Sequence, residues 1–147
     1  AGNFTSYLSD ITRTYSIGTA PEEALRAHQL SIDIHKEIVG IAKEGVACAD
    51  VYNRAMEIVA ANNMEDYFMG TKQQARFVGH GMGLEINEPP VFAARTREVL
   101  KKNMAIALEP KFVLPGIGAV GVENTYIVTE KGLENITVCE ENIIKLK

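Results

Sequence analysis

The sequence predicts an α+β fold in which a curved, mostly antiparallel sheet carries two packed helices. Three observations predict it: an opening run of β-forming residues, two consecutive amphipathic helical segments, and a second half of short extended runs broken by glycine and proline. At 147 residues the chain is long enough for one hydrophobic core and too short for two, so residues 1–147 are expected to form a single domain.

Phe4, Tyr7, Ile11, Thr12, Thr14, Tyr15 and Ile17 favour extended backbone, and Gly18 closes the run, so the first segment reads as an extended hairpin. The period then changes. Thr19-Ala20-Pro21-Glu22 offers an N-cap threonine, a proline inside the first turn and a glutamate three residues after the cap. Apolar residues recur at Leu25, Ile32, Val39 and Ala42, with a second row at Leu30, Ile34, Ile38 and Ile41. The pattern predicts a long amphipathic helix ending at Gly45. A second helix is expected over residues 49–61, with Val51, Ala55, Ile58 and Val59 inward and Asn62-Asn63 stopping it. Residues 64–74 have no period and read as a loop. Phe77-Val78 and Leu84-Glu85-Ile86 flank a glycine-rich turn over residues 79–83, and Pro89-Pro90 excludes a helix or a central strand. Extended runs follow at residues 104–108, 112–114, 119–129 and 136–138, separated by Glu109-Pro110, by Gly116 to Gly118 and by Lys131-Gly132.

Composition narrows the function classes. An apolar fraction of 46% with 23% charged residues is that of a globular protein, not a disordered one. The net charge of −4, with Lys101-Lys102 as the only adjacent basic pair, argues against a nucleic-acid partner. No apolar run approaches the roughly 20 residues of a membrane span, and the first ten residues have no signal-peptide pattern. Cys48 and Cys139 form no CxxC pattern, which fits a reducing compartment. A cytoplasmic protein is the expectation.

Asp10, His80, Glu109 and Glu123 are the residues that could carry chemistry. Each falls where the pattern predicts strand or tight turn, in apolar or glycine-rich surroundings. A carboxylate in a central strand costs several kcal/mol of desolvation unless a partner or a metal compensates. One histidine with three carboxylates suits Mn, Co, Fe or Zn better than Ca. The residue types alone leave plainer readings open. Either glutamate could lie on a solvated strand face, His80 could be a structural hydrogen-bonder, and Asp10 could cap or pair with Arg13.

Taken together and in order, Ser9-Asp10-Ile11-Thr12-Arg13-Thr14, Gly79-His80-Gly81-Met82-Gly83-Leu84-Glu85-Ile86, and Glu109-Pro110 through Val122-Glu123-Asn124 closely resemble the pita-bread metallopeptidases. That family includes Xaa-Pro aminopeptidase, prolidase, methionine aminopeptidase and the non-peptidase creatinase. The SDITRT and GLEINEPP stretches resemble the Xaa-Pro branch most. The resemblance implies that the chain is the C-terminal portion of a pita-bread catalytic domain. It also implies that Asp10, His80, Glu109 and Glu123 match four of five side chains that hold two divalent metals. The fifth, an aspartate, is expected just upstream of Ala1. One metal site could then be complete, while the second keeps only Asp10 and Glu123, so one ion or none is expected here.

Two departures bear on mechanism. Many relatives have His-Glu-x-Pro after the glycine-rich stretch, where this chain has Asn87-Glu88-Pro89-Pro90. Asn87 keeps a neutral donor for a substrate or an oxyanion but cannot titrate; it reads equally well as a turn former. Glu109-Pro110-Lys111 replaces the commoner Glu-Pro-Gly. By resemblance, a metal-activated hydroxide attacks the scissile carbonyl of a peptide, Glu109 carries the proton to the leaving amine, and proline follows the scissile bond. The alternatives are a non-catalytic pita-bread binding module and a creatinase-like C–N hydrolase. His28 and His35, seven apart on one helix face, read as core or surface residues. An exposed sheet edge and apolar surface are expected to drive homo-oligomerisation. Light scattering on dilute protein should therefore find a dimer or larger species; a monomer would count against it.

Overall fold

The computed structural model describes residues 2–146. The opening segment is a hairpin, β1 (Gly2–Phe4) and β2 (Tyr7–Ser9), paired antiparallel. Thr5 and Ser6 between them both have positive φ, the backbone of a two-residue hairpin turn whose twist matches the strands. The extended run does not continue as one hairpin. Residues 10–14 leave it, and β3 (Tyr15–Ile17) pairs in parallel with the last strand, β11 (Ile144–Leu146).

Helix α1 (Glu22–Ile41) follows, preceded by Pro21 at the N-cap position with no side-chain cap. Thr19 is therefore not the cap; the proline sets φ and Glu22 and Glu23 complement the helix dipole. The helix ends at Ile41 with Ala42 as its C-cap, short of the predicted stop. Gly45 instead takes positive φ in the loop, and its N–H donates to the Leu100 carbonyl. The inward face differs from the apolar rows alone. Ile34 and Ile38 are fully buried, but Leu25 and Ile41 are exposed, while His28, Ser31 and His35 face inward. Helix α2 (Cys48–Ala61) packs on α1 through Val51, Ala55 and Val59, with Ile58 half-buried. The connection after α2 contains a short 3-10 turn, Glu65–Tyr67, and buries Phe68 against Phe112.

The second half builds a five-stranded antiparallel sheet ordered β10-β9-β6-β4-β5, from β4 (Gly79–Gly81), β5 (Glu88–Val91), β6 (Ala105–Leu108), β9 (Asn124–Val128) and β10 (Leu133–Asn135). Strands β7 (Lys111–Leu114) and β8 (Gly118–Gly121) form a separate hairpin on which α1 packs. The run over residues 119–129 is thus two strands in two sheets, and residues 136–138, expected as a strand, are irregular, the strand lying just before them as β10. The prolines sit where their missing N–H is tolerated, on edge strand β5. Among the described residues no helix is long and apolar enough to cross a membrane.

The expected glycine-rich turn is the largest local correction. Gly79 to Gly81 form β4, a fully buried central strand between β6 and β5. A Cβ on Gly79 would run into the Ala107 carbonyl and the Phe92 ring, and one on Gly81 into the Pro89 carbonyl. Glycine here serves close approach, not chain reversal. Gly79→Ala should destabilise the chain by roughly 1–3 kcal/mol, read as a lower urea midpoint with an unchanged m-value.

Candidate metal centre

Four segments deliver the candidate ligands to one place. Asp10 follows β2, His80 is the middle residue of β4, Glu109 follows β6, and Glu123 lies between β8 and β9. Sheet register aligns two of them: His80 pairs with Ala107, and the Glu109 N–H donates to the Val78 carbonyl at 2.9 Å. A backbone bridge aligns the others. Glu123 N–H donates to Thr12 O at 3.1 Å, and Thr125 Oγ1 donates to the Asp10 carbonyl at 2.8 Å.

Asp10, His80 and Glu123 each offer one ligand atom, all within 4.8 Å of one another. Glu109 stands outside that mutual set but adjoins it, with Oε1 at 3.4 Å from His80 Nε2. Its other oxygen, Oε2, accepts from Lys111 Nζ. His80, Glu109 and Glu123 are buried, and Asp10 is half-buried. Asn87 is exposed in the bend before β5 and makes no side-chain hydrogen bond among the described residues.

The donor set fits a divalent cation. His80 Nδ1 donates to the Gly81 carbonyl at 3.0 Å, leaving Nε2 as the ring nitrogen that faces the carboxylates. Burial and neighbouring groups shift the proton affinity of three of these side chains in different directions. Burial pulls the His80 imidazole down, but Glu109, the Gly81 carbonyl and Asp10 together lift it above its ordinary value. Burial pushes Glu109 up, yet hydrogen bonds from His80 and Lys111 bring it below the usual range. Glu123 is pushed up, mainly by burial and further by Asp10 and Glu109, against the Thr12 hydroxyl that donates to its Oε2.

Three residues outside the ligand set, Arg13, Ser31 and His35, organise the site. Arg13 does not pair with Asp10. Its guanidinium donates to Glu123 O and Asn124 Oδ1, both at 2.8 Å, and to Glu140 O at 2.7 Å. Ser31 on α1 donates to Pro110 O at 2.6 Å and accepts from Val122 N–H at 3.0 Å. His35, one helical turn on, donates from Nε2 to Val122 O at 2.9 Å and accepts from the Tyr126 hydroxyl at Nδ1. The signal available in the sequence was polar residues at helical spacing, Ser31 and His35 with His28, on an otherwise apolar face.

Comparison with known proteins gives a consistent picture. Residues 1–130 match the family model for metallopeptidase family M24. The chain is 33% identical over 141 residues to an Xaa-Pro dipeptidase of Pyrococcus furiosus, covering 96% of this chain and 39% of that protein. Among solved structures it is similar to an X-Pro aminopeptidase from Thermotoga maritima, with TM-score 0.87 and 28% identity, over 96% of this chain and 38% of that one. A prolidase from Pyrococcus furiosus gives TM-score 0.84 and 34% identity over 93% and 39%. The pita-bread fold expected from the sequence is the fold found. The chain spans about two fifths of the length of these relatives.

Burial holds the His35 imidazole below its ordinary value near 6.5, against the hydrogen bond to Val122. Folding therefore favours the neutral ring. Stability from this group is level above about pH 6.5 and falls as pH drops below it, because the unfolded chain takes up the proton first. His28 is lowered too, chiefly by burial, and acts in the same sense. Urea denaturation at stepped pH should show acid destabilisation beginning near that value, and a smaller slope in His35→Gln.

Proposed function

We propose, from the premise that the chain belongs to metallopeptidase family M24, that its protein is a metal-dependent peptidase of the Xaa-Pro dipeptidase or aminopeptidase type. The observation that carries this reading is the convergence of Asp10, His80 and Glu123 within 4.8 Å, with Glu109 against His80. Peptides are the substrate class, and a preference for proline after the scissile bond is supported by the relatives named Xaa-Pro dipeptidase.

Asp10, His80, Glu109 and Glu123 would hold one ion of Mn, Co, Zn or Fe, the metals suited to one imidazole and three carboxylates. When bound, such an ion supplies Lewis acidity, lowering the pKa of a water and polarising the scissile carbonyl. The protein's own groups do the rest. Before an ion enters, Glu109 is kept ionised by His80 and Lys111; its carboxylate would accept a proton and return it to the departing amide nitrogen. The Asn87 amide, exposed beside edge strand β5, is a neutral donor for the substrate carbonyl. The Gly81 carbonyl fixes the His80 ring so that it cannot turn away. Cys48 and Cys139 are both free thiols, which supports a reducing, cytoplasmic setting.

Calorimetric titration of the chain with Mn²⁺ and Zn²⁺ should find binding near one equivalent, abolished in His80→Ala. Unchanged binding in His80→Ala would remove these residues as the site.

A further inference from the structure

Lys111 carries a role that neither the family match nor the ligand set assigns. Its ammonium sits on Glu109 Oε2, the carboxylate oxygen not facing His80. The side chain reaches this position from the rim, being 42% exposed where the Glu109 side chain is 11% exposed. Its stem is held in place by the backbone. Lys111 pairs with Gly121 across the β7–β8 hairpin, and the missing side chain of Gly121 leaves room for the Lys111 Cα and Cβ. Pro110 fixes the short link between the lysine and the glutamate it contacts, with its carbonyl tied to Ser31.

The effect falls on one ligand. Asp10, His80 and Glu123 form a mutual set, whereas Glu109 is beside it and paired with Lys111. We propose that Lys111 is a tethered cation that competes with the divalent metal for Glu109, so that metal entry requires the ammonium to swing out towards solvent. This rests on the metal reading of the site given above. The physical basis is charge. An ammonium on one of three carboxylates neutralises part of the field that attracts a metal ion, and it repels a doubly charged ion a few ångströms away. A side chain anchored at its Cβ but free at its tip can supply both states: closed over Glu109, or turned into water where lysine is well hydrated. The same pair keeps Glu109 compensated when no metal is bound, which limits the penalty of a buried, unpaired carboxylate.

The test is calorimetric titration of the full chain with Mn²⁺ and Zn²⁺, comparing the parent with Lys111→Met, Lys111→Gln and Lys111→Arg. Removing the charge should tighten metal binding by about tenfold, equivalent to about 1.4 kcal/mol. Lys111→Arg, which keeps a cation, should stay near the parent. Two uncharged variants of different polarity guard against one of them failing to fold, and the change in melting temperature on adding metal gives a second readout. Parent-like affinity in both uncharged variants, with binding still lost in His80→Ala, would overturn the competition while leaving the metal site intact. Weaker binding in the uncharged variants would also overturn it, making Lys111 a support of the site. Absence of binding in the parent and every variant would overturn the inference together with the metal reading.

Discussion

Concentrating like charge in a dry place is the constraint around which this molecule is built. Three carboxylates converge where two are buried, and each would cost several kcal/mol of desolvation if left alone. Mutual repulsion adds to that. The surroundings answer each charge separately: His80 and Lys111 on Glu109, the Thr12 hydroxyl on Glu123, and the half-exposed position of Asp10. Each answer is partial for a cation-free molecule. Together they describe a pocket whose electrostatics are relieved by adding positive charge.

Bringing the charges together is the work of backbone more than of the ligands themselves. The segments after β6 and after β8 carry Glu109 and Glu123, and neither belongs to a regular ladder at the ligand position. Helix α1 holds both. Ser31 takes the Pro110 carbonyl and the Val122 N–H, and His35 takes the Val122 carbonyl, so the residue before Glu123 is held at both its N–H and its C=O by adjacent turns of one helix. These bonds also satisfy backbone groups that would otherwise be buried without partners, a loss of about 1–3 kcal/mol each. Arg13 closes the other side, tying the strand leaving Asp10 to Glu123, Asn124 and residue 140. A buried polar side chain on α1 is thus structural in energy and functional in consequence.

How legible this was depends on range. Element types came through where a single period dominates: both helices, the β6 run, and the stop at Asn62-Asn63. Asp10, His80, Glu109 and Glu123 drew attention because carboxylates in apolar strands need an explanation, but residue types alone left plainer readings open and only the resemblance of the ordered segments to a known family joined them as a set. What stayed hidden depends on contacts distant in sequence. Gly79 to Gly81 looked like a turn, since glycine has the same local signature whether it reverses the chain or lets two carbonyls approach; only Ala107 and Pro89 distinguish the cases. The partner of β3 lies more than a hundred residues away in β11, beyond any local pattern. Leu25 and Ile41 fit a helical stripe yet face solvent, because α1 spends part of its inward face on His28, Ser31 and His35.

The two glutamates of the site finally show that identical residues sit in different electrostatic surroundings. Both are buried to a similar degree. Burial raises both, but His80 and Lys111 draw Glu109 below the usual carboxylate range, whereas at Glu123 the Thr12 hydroxyl and Lys111 only partly offset burial, Asp10 and Glu109. Environments that drive two titratable groups apart are a mark of divided roles in an acid–base site. Glu123 is the less fully compensated of the two, so it gains more from an added cation. Glu109 is already compensated, and its charge persists with or without one. Their neighbours therefore set the two carboxylates apart in how far their charge is compensated, before any ligand is considered.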